Sequence, residues 1–189
     1  MKQIFTFLAF FQTFTSFGQI DANAEIQKDF SQYYAFIAEK RIDEALNYTN
    51  PKIFEFVPRD QFKSAMEEVY KMPNIEYKTG MPVYLKFDNR VKIENVNYVK
   101  FYIVSPIEMK FTDIKNTDKQ VKEMVTIFEA KFGDGNVQFD KETGFYKINA
   151  QKVIIANSEN NLDWTFVTVD NPKMKALLEK FIPVELLND

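Results

Sequence analysis

Apolar positions recur along this chain first at helical spacing and then at a period of two. Ala22, Ile26, Phe30, Tyr33 and Ile37 follow one another at steps of four, four, three and four, which lays them on one helix face. Asp21 stands where the N-cap of that helix would be. After the charged break Glu39-Lys40-Arg41, Ile42, Ala45 and Leu46 predict a second, short helix. Asn50-Pro51 ends it, because proline has no N–H and restricts the residue before it. Ile53, Phe54, Phe56 and Val57 are apolar without a defined period. Pro58 opens a third helix, where Phe62, Ala65, Met66, Val69 and Tyr70 form the next stripe and Met72-Pro73-Asn74 is the stop. Burial at roughly 1.5–3 kcal/mol per side chain would hold such a helix on a sheet.

From Ile75 the period changes to two, predicting strands over 75–79, 82–87, 91–95 and 98–111. Asp88-Asn89-Arg90 reads as a hairpin turn, and Pro106 predicts an edge position or a bulge for the last of these strands. Thr117 and Gln120 have capping-box spacing ahead of Val121, Met124, Val125, Phe128 and Phe132, and Gly133 falls where a C′ glycine belongs. Strands are expected again over 136–140, 145–149, 152–157 and 162–169. Their turns are Lys141-Glu142-Thr143-Gly144 and Glu159-Asn160-Asn161. Asn171-Pro172 supplies a cap and a first residue for a final helix carrying Leu177, Leu178 and Phe181. No repeat or linker divides residues 19–189. Helices at both ends of an antiparallel meander predict one α+β domain.

Residues 1–18 have a different pattern. Lys2 precedes an apolar run from Ile4 to Phe11, and Ser16-Phe17-Gly18 places small residues at −3 and −1 of a cleavage site between Gly18 and Gln19. This is the pattern of a signal peptide, and it predicts an exported protein, periplasmic or secreted. The run is too short to remain as a bilayer span, so no permanent membrane anchor is expected.

Composition narrows the chemistry further. The chain has no cysteine and no histidine, which removes disulfides, thiolate nucleophiles, Ser-His-Asp triads and His- or Cys-bearing metal sites. Carboxylates, Tyr, Lys and Arg are left for acid–base work. Net charge is −3 with both signs interspersed, so no basic stripe suits nucleic acid. No motif calls for a cofactor.

Three constellations remain. Gly133-Asp134-Gly135-Asn136 with Asp140 and Glu142 is the most metal-like, but it lacks the EF-hand pattern and reads as a helix cap joined to a turn. No metal is expected there. Asp60, Glu67 and Glu68 place carboxylates on the third helix, opposite its apolar stripe, as a solvated face would. The third is aromatic: 20 Phe, 9 Tyr and one Trp. Trp164 and Phe166 share a strand face, as do Val99, Phe101 and Ile103 on another strand. These residues either fill a core or, with Tyr34, Phe62 and Met66, line a pocket.

The order of three opening helices, a break at Asn50-Pro51-Lys52 and an antiparallel sheet resembles the nuclear transport factor 2-like superfamily, especially its exported bacterial members of unassigned function. The helix and break over 30–52, the helix over 58–70, the run Phe132-Gly133-Asp134-Gly135-Asn136-Val137 and the strand containing Trp164 carry the likeness over most of 24–170. Two features depart from the simple fold: the helix over 117–132 within the sheet region, and the helix after the last strand. The resemblance implies N-terminal helices packed on a curved sheet to make a cone. Its catalytic members use polar groups inside that cone, often an Asp with a Tyr, but no catalytic residue transfers to this chain. The expected role is binding of a small apolar ligand or a protein partner, with Tyr34, Phe62, Met66, Phe101, Trp164 and Phe166 as pocket candidates. The alternatives are a carboxylate/Tyr-dependent isomerase, dehydratase or hydrolase, and a structural module forming a homodimer through an open sheet face.

Overall fold

The computed structural model describes residues 22–169 and 172–188. The cleavage site Gly18-Gln19 and the caps Asp21 and Asn171 lie outside the described residues. Helices α1 (Ala22–Ala38), α2 (Ile42–Ala45) and α3 (Arg59–Lys71) precede strands β1 (Ile75–Thr79), β2 (Val83–Phe87), β3 (Val91–Ile93) and β4 (Val96–Phe111). Helix α4 (Asp118–Phe132), strands β5 (Val137–Phe139), β6 (Tyr146–Ser158) and β7 (Thr165–Thr168), and helices α5 (Pro172–Leu178) and α6 (Val184–Leu187) follow. The aperiodic stretch after Asn50 is a 3₁₀ helix, Pro51–Glu55, started by Asn50, whose side chain accepts from the Lys52 N–H at 3.0 Å. The result is an α+β fold around one open, antiparallel sheet of seven strands.

β4 and β6 form the spine of that sheet, paired from Asn97↔Ser158 to Met109↔Tyr146. Two expected strands, 145–149 and 152–157, are therefore one. Asp88-Asn89-Arg90 makes no hairpin: β1, β2 and β3 all pair antiparallel with β4, at successive positions along it. Together they form one interrupted flank of β4, and the tight reversal lies at Glu94-Asn95, with Glu94 at φ 54°.

Pro106 sits in the central strand rather than at an edge. Its carbonyl accepts from Gly80 at 2.9 Å, so its missing N–H points to the same side, where β1 and β2 are interrupted. A Cβ on Gly80 would lie 3.2 Å from that of Pro106, a close approach that favours glycine.

Alternation along the spine separates the cores. Val99, Phe101, Ile103, Ile154, Ala156 and Phe166 pack beneath Ile26, Phe30 and Tyr34 of α1. Further along the strands, Ile107, Ile148 and Ala150 meet Val125, Phe128 and Phe132 of α4. Helix α4 has the expected capping box between Thr117 and Gln120, and Gly133 caps its end at φ 92°. A separate cluster joins Tyr98, Ile155 and Val167 to Leu178, Ile182, Leu186 and Leu187 of the C-terminal segment.

A candidate ligand cavity under helix α3

Helix α3 has an apolar stripe but no fully buried residue. Its Phe62, Met66, Val69 and Tyr70 lie half-buried over open volume instead of packing into the core. Arg59 holds the start of the helix, donating to the carbonyls of Asp43 and Leu46 at 2.7 and 3.2 Å and to Asn47 Oδ1 at 3.0 Å. Lys63 adds an ion pair to Asp43 at 2.7 Å. Near the other end, the Tyr70 hydroxyl donates to the Ile37 carbonyl of α1 at 3.2 Å. Burial pushes the Tyr70 phenol above its ordinary value, keeping it a neutral donor. The helix is thus tethered at both ends as a roof.

Beneath it lies a cavity of about 340 Å³. Tyr33, Tyr34 and Ile37 of α1, with Thr49 and Ile53, wall one side. Its lining on the sheet includes Tyr77 and Thr79 of β1, Ser105 of β4, Lys152 of β6, and Phe166 and Thr168 of β7. Ser105 and Lys152 share the inward face by alternation, since Ser105 pairs with Ala150 and Ile103 with Lys152. They stand between the cluster beneath α1 and the cluster beneath α4.

The cavity's polar groups include the hydroxyls of Thr49, Thr79, Thr168 and several tyrosines, and two further side chains on the sheet, Ser105 and Lys152, stand out among them. The Ser105 side chain is buried, and its hydroxyl has no hydrogen-bond partner among the described residues. Lys152 is half-buried and has no ion pair among the described residues. No Asp or Glu lines the cavity among the described residues.

Four of the expected pocket residues, Tyr34, Phe62, Met66 and Phe166, line this cavity. Phe101 and Trp164 do not; both belong to the core beneath α1. Phe101 is covered by Phe87, stacked at 5.0 Å, and by Phe30, edge-on at 5.0 Å. Trp164 sits at the entry to β7, tied to α1 through its backbone N–H. Ser105 and Lys152 were not among the sequence candidates, although each is a polar residue at an apolar step of its strand's alternation.

The other constellations have structural tasks. Glu67 is paired with Lys71 and Lys63, which hold its carboxyl below the usual value, and Asp60 is exposed. Asp140 accepts from the N–H groups of Glu142 and Thr143 in a turn, while Asn136 donates to the Phe132 carbonyl at the end of α4. No three acidic side chains converge on a metal site among the described residues. Among those residues, no helix is long and apolar enough to cross a membrane. Neither a protein-family model nor a curated protein sequence matches this chain.

Proposed function

We propose that this chain is an exported, non-catalytic domain of the nuclear transport factor 2-like type that binds a small, largely apolar ligand in the cavity under α3. The observation that carries this reading is the apolar stripe of α3, held over about 340 Å³ of open volume instead of packed core. Burying those side chains against a ligand would recover stabilisation that an ordinary core obtains internally, roughly 25 cal/mol per Å² of apolar surface. The volume is near the lower end of small-molecule pockets, roughly 300–1,000 Å³, and suits a compact guest. Three opening helices followed by an antiparallel sheet support the family likeness, in which this cavity would be the interior of the cone. The cleavage pattern at Gly18-Gln19 supports export to the periplasm or beyond.

Native mass spectrometry of the protein purified from an exporting host tests this directly. Binding predicts an added mass on the folded protein that leaves on denaturation, and Met66→Trp, which narrows the cavity, should reduce its occupancy. Bare wild-type protein that also fails to take up apolar probes would overturn the reading.

The lining favours binding over carboxylate/Tyr catalysis because its described residues supply tyrosines but no carboxylate. A second reading, self-association, draws on Val83 and Leu85 of β2 and Met81 in the loop before it, which are 56%, 55% and 50% exposed. Sedimentation velocity over a range of concentrations decides it, since a strictly monomeric protein would remove this reading.

A further inference from the structure

We propose that the ligand is an amphipathic carboxylate: its compact apolar body lies under Phe62 and Met66, and its anionic head is held by Lys152 and Ser105. This inference rests on the cavity's being a binding site and assigns the chemistry of what fills it.

Of the polar residues on the inward sheet face, Ser105 has a buried hydroxyl without a partner among the described residues, and Lys152 carries the charge. A hydroxyl buried without a partner, like that of Ser105, can donate one hydrogen bond and accept others. Lys152, diagonal to it across β4 and β6, contributes an ammonium with three donors. Both line the cavity, and its described lining has no acidic side chain to neutralise the ammonium.

A guest without a polar head would displace water from Lys152 and leave its charge desolvated, which is unfavourable. A cationic head would add repulsion. A carboxylate can accept from both the ammonium and the hydroxyl, turning the cost of desolvation into charge-assisted hydrogen bonds. The aromatic and aliphatic side chains of α3 then cover the remainder of the molecule. Its polar demand is met at one spot on the sheet and its apolar demand at the roof.

Isothermal titration calorimetry of the purified protein with decanoate, decanol and decylamine separates these contributions, because the three share a chain and differ in the head. Decanoate should bind about tenfold or more tightly than decanol, and decylamine most weakly. Lys152→Met and Ser105→Ala should each reduce that preference while leaving decanol affinity in place, and Lys152→Arg should retain most of it. Melting curves check that each variant is folded. Equal binding of decanoate and decanol, or an unchanged preference in Lys152→Met, overturns the assigned ligand class but leaves the cavity a binding site. Failure of all three probes to bind the wild type overturns both.

Discussion

The carboxylate of Asp29 on α1 accepts a hydrogen bond from the backbone N–H of Trp164 at 3.1 Å, fastening the first helix to the entry of the last strand. Burial is the chief cause raising the Asp29 carboxyl above its ordinary value, opposed by this same hydrogen bond. The acceptor is needed, but the negative charge is penalised. Asp29→Ala should therefore destabilise the fold by about 1–2 kcal/mol by leaving the Trp164 N–H unpaired. Asp29→Asn keeps an oxygen acceptor without the charge and should be neutral or stabilising at pH 7. The folded state holds this proton to higher pH than the unfolded chain, so the group's contribution to stability falls as pH rises between the ordinary and raised values. Chemical denaturation of the three proteins across that range checks both points. Equal losses in Asn and Ala would mean that the charge, not the acceptor, is what Trp164 requires.

Asp140 titrates in the opposite sense. Its Oδ2 lies 2.8 Å from Lys147 Nζ, which is the largest cause holding the carboxyl well below the usual range, with further help from Thr143 and Glu142. A depressed folded value gives stability that is present above the unfolded value and lost as pH falls through the folded one. The melting temperature of Asp140→Asn should lie below that of wild type at neutral pH and converge with it in strong acid. A gap that persists unchanged in acid would assign the effect to turn geometry alone.

Gly133 ends α4 at φ 92° and ψ 150°, a region nearly confined to glycine. A Cβ there would also come within 3.0 Å of Asn136 Nδ2, the group that donates to the Phe132 carbonyl. Gly133→Ala should cost roughly 1–3 kcal/mol, combining backbone strain with a displaced cap. By contrast, Thr117→Ala at the other end removes a single cap and should cost ~1 kcal/mol. Urea unfolding of both variants gives the comparison, and equal stability of Gly133→Ala and wild type would exclude strain at this position.

Features with local causes were the legible ones. The capping box at Thr117-Gln120, the glycine after Phe132 and the stripe of α1 through Ile26, Phe30 and Tyr33 are determined within a few residues, and the structure contains each. Pairing was harder to read because its cause lies far along the chain. Asp88-Asn89-Arg90 has the composition of a hairpin turn, but β4 takes both flanking strands as partners. Ala150-Gln151 falls between the strands expected over 145–149 and 152–157. On the spine it continues one strand, with Ala150 and Lys152 both facing inward. Only the continuous pairing of β6 with β4 sets Lys152 diagonal to Ser105 on the cavity's side of the sheet. Phe62 and Met66 were legible as apolar helix positions, but periodicity could not tell a helix packed on a core from one roofing a cavity.

Ser105 offers the most economical test of whether the sheet floor is built for stability or for a ligand. It is 1% exposed, with no hydrogen-bond partner for its hydroxyl among the described residues. A buried serine that served the fold would have a partner, and its removal would cost about 0.5–1.5 kcal/mol. Ser105→Ala removes a polar atom without creating much space, so the unliganded protein should be as stable as wild type or more so. Ligand-free samples of both proteins, unfolded in urea and compared by midpoint and slope, give that difference. A clear loss would mean that the hydroxyl has a structural partner in solution, and Lys152 alone would then carry the polar end of the cavity. Equal or greater stability, together with weaker decanoate binding, would mean that β4 carries a destabilising side chain for the sake of what it binds.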